Sequence, residues 1–122
     1  MRRVTVGRVY DERTPLDGAR GLVDRIWPRG LAKDRADLDQ WCPQVAPSTQ
    51  LRRWYGHDPA RFEEFSRRYR AELDDPARAE ALQHLGEIAA QQRLTLLTAT
   101  RHPAISQAAV LADLLGAERG AG

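Results

Sequence analysis

The sequence predicts a small layered α/β domain, with a short, mainly parallel sheet of about three strands packed by four to five helices. At 122 residues the chain fits one domain, which can bury roughly two thirds of the surface that its unfolded form exposes. Apolar segments follow in the order strand, strand, three or four helices, strand, helix. The last strand is continuously apolar, as strands buried on both faces of a parallel sheet are.

Two strands are predicted near the N-terminus. Residues 4–10 carry β-branched side chains at intervals of two, and residues 11–18 form a polar loop. Residues 20–27 form the second strand. Because side chains alternate along a strand, its two faces are predicted to carry Leu22, Asp24 and Ile26 on one side and Val23, Arg25 and Trp27 on the other. Each face therefore holds one ionisable group among apolar ones.

The middle of the chain is predicted to be helical. A charged connection over residues 31–37 leads to a short helix over residues 38–42. Ser48, Asp58 and Asp75 each precede apolar residues at helical spacing, so each is the predicted N-cap of a helix. The helix after Ser48 is predicted to end at Gly56, and the one after Asp75 near residue 91.

The C-terminal part supplies the third strand and the last helix. Residues 94–98 form the buried strand, and a long helical crossover to it predicts that it lies parallel to its neighbour. Pro103 begins the last helix and Gly116 ends it. Residues 1–116 are therefore expected to form a single α/β domain, with a loose tail over residues 117–122.

Composition excludes several classes of protein. Hydrophobic residues make up 42% and charged residues 30% of the chain, which is ordinary for a soluble globular protein. No apolar run approaches the roughly 18 residues of a membrane span, and no signal peptide is recognisable, so we expect a cytoplasmic protein without membrane contact. Cys42 is the single cysteine and is expected to be a plain buried thiol. No zinc spacing and no glycine-rich nucleotide loop occurs, so no metal and no cofactor are predicted.

A candidate anion site follows the second and third strands, whose carboxyl ends should meet at one edge of the sheet. The last helix would aim its free N–H groups at the space near Arg101 and His102. Arg25 or Arg29 could close the site from the other side, since a guanidinium suits carboxylate or phosphate. In the alternative interpretation Asp24 pairs with an arginine as a buried charge, and Arg29 is merely exposed.

A second polar set lies between Ser48 and Asp58. Ser48 and Asp58 suit helix capping and Trp54 belongs to an apolar face, whereas Arg52 and His57 remain candidates for binding. No catalytic residue is assigned. The candidate ligand-binding residues are Asp24, Arg25, Trp27, Arg29, Arg52, His57, Arg101 and His102.

Three motifs carry a family resemblance: LVDRIWPRG over residues 22–30, APSTQLRRWYGHDP over 46–59 and TLLTA over 95–99. With these, nearly the whole chain closely resembles the bacterial and archaeal domain of unknown function 488 family, in its short YeaO-like branch. The resemblance implies a compact α/β domain and no agreed activity, substrate or cofactor.

The chain departs from the family pattern after the last strand. Members typical of the family continue with A-K/R-D-E-x-H-N. Here Arg101 fits, whereas His102, Ile105 and Ser106 stand where an acid, a histidine and an asparagine are expected. If those residues carry the family's chemistry, the resemblance implies that part of it is lost or altered.

Three classes of function remain open. The first is a small protein, possibly a degenerate enzyme, that binds a phosphate- or carboxylate-bearing small molecule at the strand-end edge; whether it is an enzyme stays open. The alternative is a nucleic-acid-binding or regulatory module, suggested by N-terminal arginines, three tryptophans and an isoelectric point near 9.1. The third is an interaction protein with tryptophans at an interface. The oligomeric state is not predicted.

Overall fold

The computed structural model of the protein describes residues 4–121, and it describes side chains over residues 4–116. Three short 3₁₀ turns interrupt the chain, at Pro43–Val45, Pro59–Arg61 and Pro103–Ile105. The strands and helices are β1 (Val4–Arg8), β2 (Ala19–Leu22), α1 (Lys33–Ala36), β3 (Gln40–Trp41), α2 (Thr49–Tyr55), α3 (Phe62–Glu72), α4 (Pro76–Gln91), β4 (Leu94–Thr98) and α5 (Gln107–Ala121).

The sheet has four strands in the order β1-β4-β2-β3, and each neighbouring pair is parallel. Strand β4 lies between β1 and β2, and all five of its residues are buried. The predicted α/β fold and the buried, parallel last strand are confirmed, with one strand more than expected. Because the strands are parallel, β1, β2 and β4 all end at the same edge of the sheet.

Strand β2 is shorter than predicted and ends at Leu22, not at residue 27. Leu22 lies opposite Leu97, and the N–H of Val23 makes a further hydrogen bond of 3.0 Å to the Leu97 carbonyl. β4 ends one residue later, so beyond Val23 no backbone partner remains on that side. The predicted alternation of side chains over residues 24–27 is therefore wrong, and these residues form a loop.

The region between β2 and α2 also differs from the prediction. Residues 38–42 do not form a helix, because Gln40 and Trp41 pair with Gly21 and Leu22 as edge strand β3. The N–H of Cys42 continues this pairing with a hydrogen bond of 2.8 Å to the Leu22 carbonyl. The single-turn helix α1 occupies part of the predicted charged connection.

The helix starts in the middle of the chain are confirmed. The Ser48 side chain accepts a hydrogen bond from the Leu51 N–H, and Asp75 caps α4 in the same way. Gly56 ends α2 with a left-handed φ of 54°. Asp58 caps the 3₁₀ turn that precedes α3. These boundaries depend on local side-chain chemistry, which a sequence displays directly.

The last helix begins later and runs further than predicted. Pro103 opens only a 3₁₀ turn, and α5 starts at Gln107 and continues past Gly116 to Ala121. The predicted loose tail concerns residues 117–122, whose side chains lie outside the described residues, as does Gly122 altogether. Within the described part of the chain, no helix has the length and apolar character needed to cross a membrane.

The main core packs between one face of the sheet and helices α2 to α5. Phe65 and Tyr69 of α3 are fully buried, and Phe65 stacks on Tyr55 with ring centroids 4.2 Å apart. The Tyr69 hydroxyl donates to the Val45 carbonyl. Phe65 and Tyr69 therefore both belong to the main core. A smaller cluster on the other face contains Val9, Leu22 and Leu97.

A buried arginine stabilises the entrance of β2. Arg20 is 1% exposed, and its guanidinium donates to the Asp17 carboxylate at 2.9 Å and to the Asp37 carbonyl at 3.0 Å. The Arg20 backbone N–H donates to the Asp39 carboxylate. Arg13, more exposed, pairs with Asp37 and Asp39. This set of five residues, the Arg20 network, joins the loop before β2 to the segment between α1 and β3.

The Arg20 network predicts a loss of stability in acid. Burial raises the pKa of Asp17, but hydrogen bonds from Arg20 and Thr14 outweigh it and hold the pKa of this carboxyl below its ordinary value. The hydrogen bond from the Arg20 N–H is the main cause that lowers the pKa of Asp39. A lowered pKa in the folded state stabilises the fold above the unfolded-state pKa of about 3.9, and this stability is lost as the pH falls through the folded-state pKa.

The measurement is the free energy of unfolding in urea between pH 6 and pH 2. We expect it to fall below about pH 4, and to fall less steeply in the Asp17→Asn, Asp39→Asn double variant. Asp74→Asn is the control, because Asp74 is exposed and forms no ion pair among the described residues. An equal pH slope in the wild type and the double variant would contradict the prediction.

Candidate functional site

A cleft of about 850 Å³ lies beyond the carboxyl ends of β2 and β4. We call it the strand-end cleft. Two of its sides are the segments that follow β2 and β4, and the others come from α2 and the start of α5. Its lining residues are Asp24, Arg25, Ile26, Thr49, Arg52, Arg53, Tyr55, His57, Phe65, Thr98, Ala99, Thr100, Ser106 and Gln107.

Asp24 is held by three neutral donors. Its Oδ1 accepts hydrogen bonds from the Thr98 hydroxyl at 2.7 Å and from the Gln107 amide at 2.6 Å. Its Oδ2 accepts one from the Ala99 backbone N–H at 2.8 Å. Asp24 forms no ion pair with any described residue, so the alternative of a buried Asp24–arginine pair is not what the fold contains. The carboxylate instead fixes the end of β4 against the start of α5.

Three arginines give the cleft its positive charge. Arg25 is exposed and donates to the Thr49 hydroxyl at 2.8 Å. Arg52 and Arg53 lie in the last turn of α2, where the negative end of the helix dipole favours cations. Arg52 is half-buried, and its Nε is buried without a hydrogen-bond partner among the described residues. With one carboxylate, Asp24, against three arginines, the cleft favours anions.

His57 and Tyr55 form the end of the cleft near α2. His57 has a φ of 58°, and its exposed ring lies with its centroid 6.0 Å from that of Tyr55. The Tyr55 hydroxyl donates to the Ile105 carbonyl and so ties α2 to the turn before α5. Burial, helped by the charge of Asp58, raises the pKa of Tyr55. Tyr55 therefore stays neutral and acts as a brace, while His57 offers a ring nitrogen at the rim.

The fold brings together four of the eight candidate residues named from the sequence: Asp24, Arg25, Arg52 and His57. Trp27 lies elsewhere. Its Nε1 donates to the Leu31 carbonyl at 2.7 Å, and its ring packs edge-on against Trp41. Trp27 therefore covers the smaller core cluster.

The other three candidates are exposed residues that do not line the cleft: Arg29, Arg101 and His102. The expectation that the last helix aims its N-terminus at Arg101 and His102 is wrong, because α5 begins only at Gln107. The Ser106 hydroxyl already accepts from the Ala108 N–H there. The anion hypothesis therefore moves from the helix N-terminus to the arginines of α2.

Several lining residues were not singled out from the sequence. The place of Arg53 could have been predicted, because it follows Arg52 directly and lies in the same last turn of α2. Thr98 ends a recognised strand, so its place at the sheet edge was foreseeable. Gln107 gave no such signal. Its contact with Asp24 joins positions 83 residues apart and depends on where α5 starts.

Among the described residues, two hydroxyls that line the cleft are engaged in hydrogen bonds within the fold. Thr98 donates to Asp24 but is only 1% exposed, and the Ser106 hydroxyl donates to the Pro103 carbonyl at 2.7 Å. Cys42 is buried outside the cleft, and burial raises the pKa of its thiol. Among the described residues, no three histidine, cysteine or acidic side chains gather as a metal site.

Comparison with known proteins gives one family. The family described as "Inactive DUF488-N3 subclade" matches residues 3–120. The uncharacterized protein Rv3073c of Mycobacterium tuberculosis is 53% identical over 113 residues, which cover 93% of each chain. The uncharacterized protein YeaO of Escherichia coli K12 is 40% identical over 108 residues, which cover 88% of this chain and 92% of YeaO. No solved structure matches the chain at a significant level.

Proposed function

The chain belongs to the domain of unknown function 488 family, as its motifs predicted. We propose that it binds a phosphate- or carboxylate-bearing small molecule in the strand-end cleft without converting it. The observation that carries the proposal is the Arg52 guanidinium, whose buried Nε has no hydrogen-bond partner among the described residues. A cytoplasmic location belongs to the same proposal, since the single buried thiol suits a reducing compartment.

Arg52 favours an anionic ligand for energetic reasons. A buried donor left without an acceptor costs about 1–3 kcal/mol, and an oxygen of phosphate or carboxylate that the Arg52 side chain turned to meet would recover that free energy. The Nε and one Nη of a guanidinium form a fork that such groups accept with two oxygens. Arg25 and Arg53 line the same cleft and would neutralise further negative charge. Lysine at position 52 would supply the charge without the fork.

Three observations favour binding without turnover. The matched subclade is described as inactive, and the segment after β4 lacks the acid, histidine and asparagine that the family pattern led us to expect at positions 102, 105 and 106. In addition, the hydroxyls of Thr98 and Ser106 are engaged in bonds that hold the fold. The cleft therefore has a receptor-like or degenerate-enzyme role.

The nucleic-acid alternative gains no support from Trp54, one of the three tryptophans. The guanidiniums of Arg61 and Arg68 lie over the Trp54 ring, 5.2 and 4.3 Å from its centroid. Arg68 is also paired with Glu64, whose pKa falls to about 2 through hydrogen bonds from Arg67 and Arg68. A ring over which two arginines lie is less accessible for base stacking.

The test is phosphate binding by isothermal titration calorimetry. We expect Arg52→Ala to weaken binding about 10- to 100-fold, because a hydrogen bond to a charged group contributes about 1.5–3 kcal/mol. Arg52→Lys should recover only part of the affinity. Arg101→Ala is the matched control, since Arg101 is exposed and does not line the cleft.

Circular dichroism and urea unfolding would show that the Arg52 variants keep their fold. The proposal fails if the wild type binds neither phosphate nor a simple carboxylate such as acetate at millimolar concentration. It fails equally if Arg52→Ala and Arg101→Ala reduce the affinity to the same extent.

A further inference from the structure

We propose that Asp24 forms a second binding pole in the strand-end cleft, so that the ligand carries a hydroxyl or ammonium donor in addition to its anionic group. This inference rests on the proposed function and narrows the class of ligand. The arginine pole consists of Arg25, Arg52 and Arg53, and the carboxylate pole is Asp24; all four residues line the same cleft.

The hydrogen bonds of Asp24 leave one acceptor position open. Each oxygen of an ionised carboxylate can accept about two hydrogen bonds. Oδ1 already accepts two, from Thr98 at 2.7 Å and Gln107 at 2.6 Å. Oδ2 accepts one, from the Ala99 N–H at 2.8 Å. A donor on a ligand can therefore complete the shell of Oδ2 without displacing a bond that the fold uses.

The charge of Asp24 is not compensated by a cation of the described chain. Its three donors are a hydroxyl, an amide and a backbone N–H, all neutral. The neighbouring Arg25 side chain donates to Thr49 instead. A half-buried carboxylate without a cationic partner attracts a positive or strongly polar donor more strongly than an exposed carboxylate does, because solvent screens its charge less.

The same carboxylate discriminates between ligands. An anion that extended from the arginine pole to Asp24 would be repelled there, since two like charges in a partly desolvated site are unfavourable. Inorganic phosphate would occupy the arginine pole alone. A molecule with an anionic group at one end and a hydrogen-bond donor at the other would satisfy both poles. The site would then select its ligand in two ways, because it attracts the donor and repels a second anionic group at Asp24.

The probes are pairs of phosphate monoesters that differ only in the terminal group. We would measure ethyl, propyl and butyl phosphate against the aminoalkyl phosphates of the same chain length, by isothermal titration calorimetry at pH 7. For at least one chain length the aminoalkyl ester is expected to bind the wild type about tenfold more tightly, as one charge-assisted hydrogen bond would give. In Asp24→Asn this preference should fall to about twofold or less, because an amide carries no charge.

A second variant separates the binding role of Asp24 from its role in the fold. Gln107→Leu removes one of the three donors to Asp24 but keeps the carboxylate, so the preference for the amino ester should persist. If Asp24 acts only as a structural brace, both variants will weaken all esters alike and leave the ratios unchanged, which overturns the inference. A wild type that shows no preference at any chain length also overturns it.

The two proposals fail in different ways. If the alkyl phosphates bind the wild type and Arg52→Ala abolishes that binding, the proposed anion site at the arginines is supported. It is supported even if the wild type shows no preference for an amino group, a result that overturns only the role of Asp24. If no ester of either kind binds, the anion site itself is wrong.

Discussion

Replacing Arg20 with methionine is expected to lower the free energy of unfolding by about 3–5 kcal/mol, the range for removing one partner of a buried ion pair. Arg20 is 1% exposed, and its guanidinium donates to the Asp17 carboxylate and to the carbonyls of Asp11 and Asp37. Methionine fills much of the same volume but donates nothing, so these acceptors lose their partner where water has little access. Since small domains are stable by only about 5–15 kcal/mol, the variant should be close to its unfolding limit.

The measurement is urea unfolding followed by circular dichroism at pH 7, with Arg13→Met as the control. Arg13 belongs to the same network, but its side chain is 32% exposed and pairs with exposed carboxylates of Asp37 and Asp39. Its loss is expected to change stability by less than about 1 kcal/mol, as for surface ion pairs. Equal losses in the two variants would show that burial does not set the importance of Arg20.

The parts of the fold that could be predicted are those whose cause lies within a few residues. The Ser48 hydroxyl and the Asp75 carboxylate cap helices that begin directly after them, and β4 is apolar at residues that must be buried on both faces. Such signals depend on local chemistry. They were sufficient to place three of the five helices and the central strand.

The parts that could not be predicted depend on partners far along the chain. Gln40 and Trp41 form a strand only because the edge of β2 lies beside them, and a two-residue strand has no pattern of its own. The residues after Leu22 look like a strand by alternation, but β4 ends and leaves them no partner on that side. Pairing, not propensity, therefore determined both departures.

The same distinction explains the candidate site. Parallel β2 and β4 were predicted, so Asp24 could be placed at the correct edge. Arg52 and His57 were named from their polarity alone, and no sequence argument placed them beside Asp24. Arg101 and His102 were placed at the site through the assumption that α5 starts at Pro103, and a 3₁₀ turn of three residues was enough to invalidate it.

Replacing Gly18 with alanine is expected to lower the free energy of unfolding by about 2–5 kcal/mol. Left-handed backbone strain contributes roughly 1–2 kcal/mol of this loss, and steric overlap contributes about 1–3 kcal/mol. Gly18 has a φ of 64°, and a Cβ there would lie 2.2 Å from the Arg93 carbonyl oxygen. That oxygen also accepts the Ala19 N–H at 2.8 Å, the hydrogen bond with which β2 begins beside β4. The obstructing atom belongs to the backbone, so no rotation of a side chain can relieve the overlap.

Gly30→Ala separates the two causes, because Gly30 has a φ of 78° and, apart from its two chain neighbours, no described residue has an atom within 4 Å of the added Cβ. In this variant the free energy of unfolding should fall only by the cost of the left-handed backbone strain, about 1–2 kcal/mol. The difference between the variants, measured by urea unfolding, then reports the close approach of Gly18 to the Arg93 backbone. Equal losses would mean that the residues around Gly18 move apart at little cost, and that the β2–β4 junction is not the rigid support that holds the strand-end cleft in place.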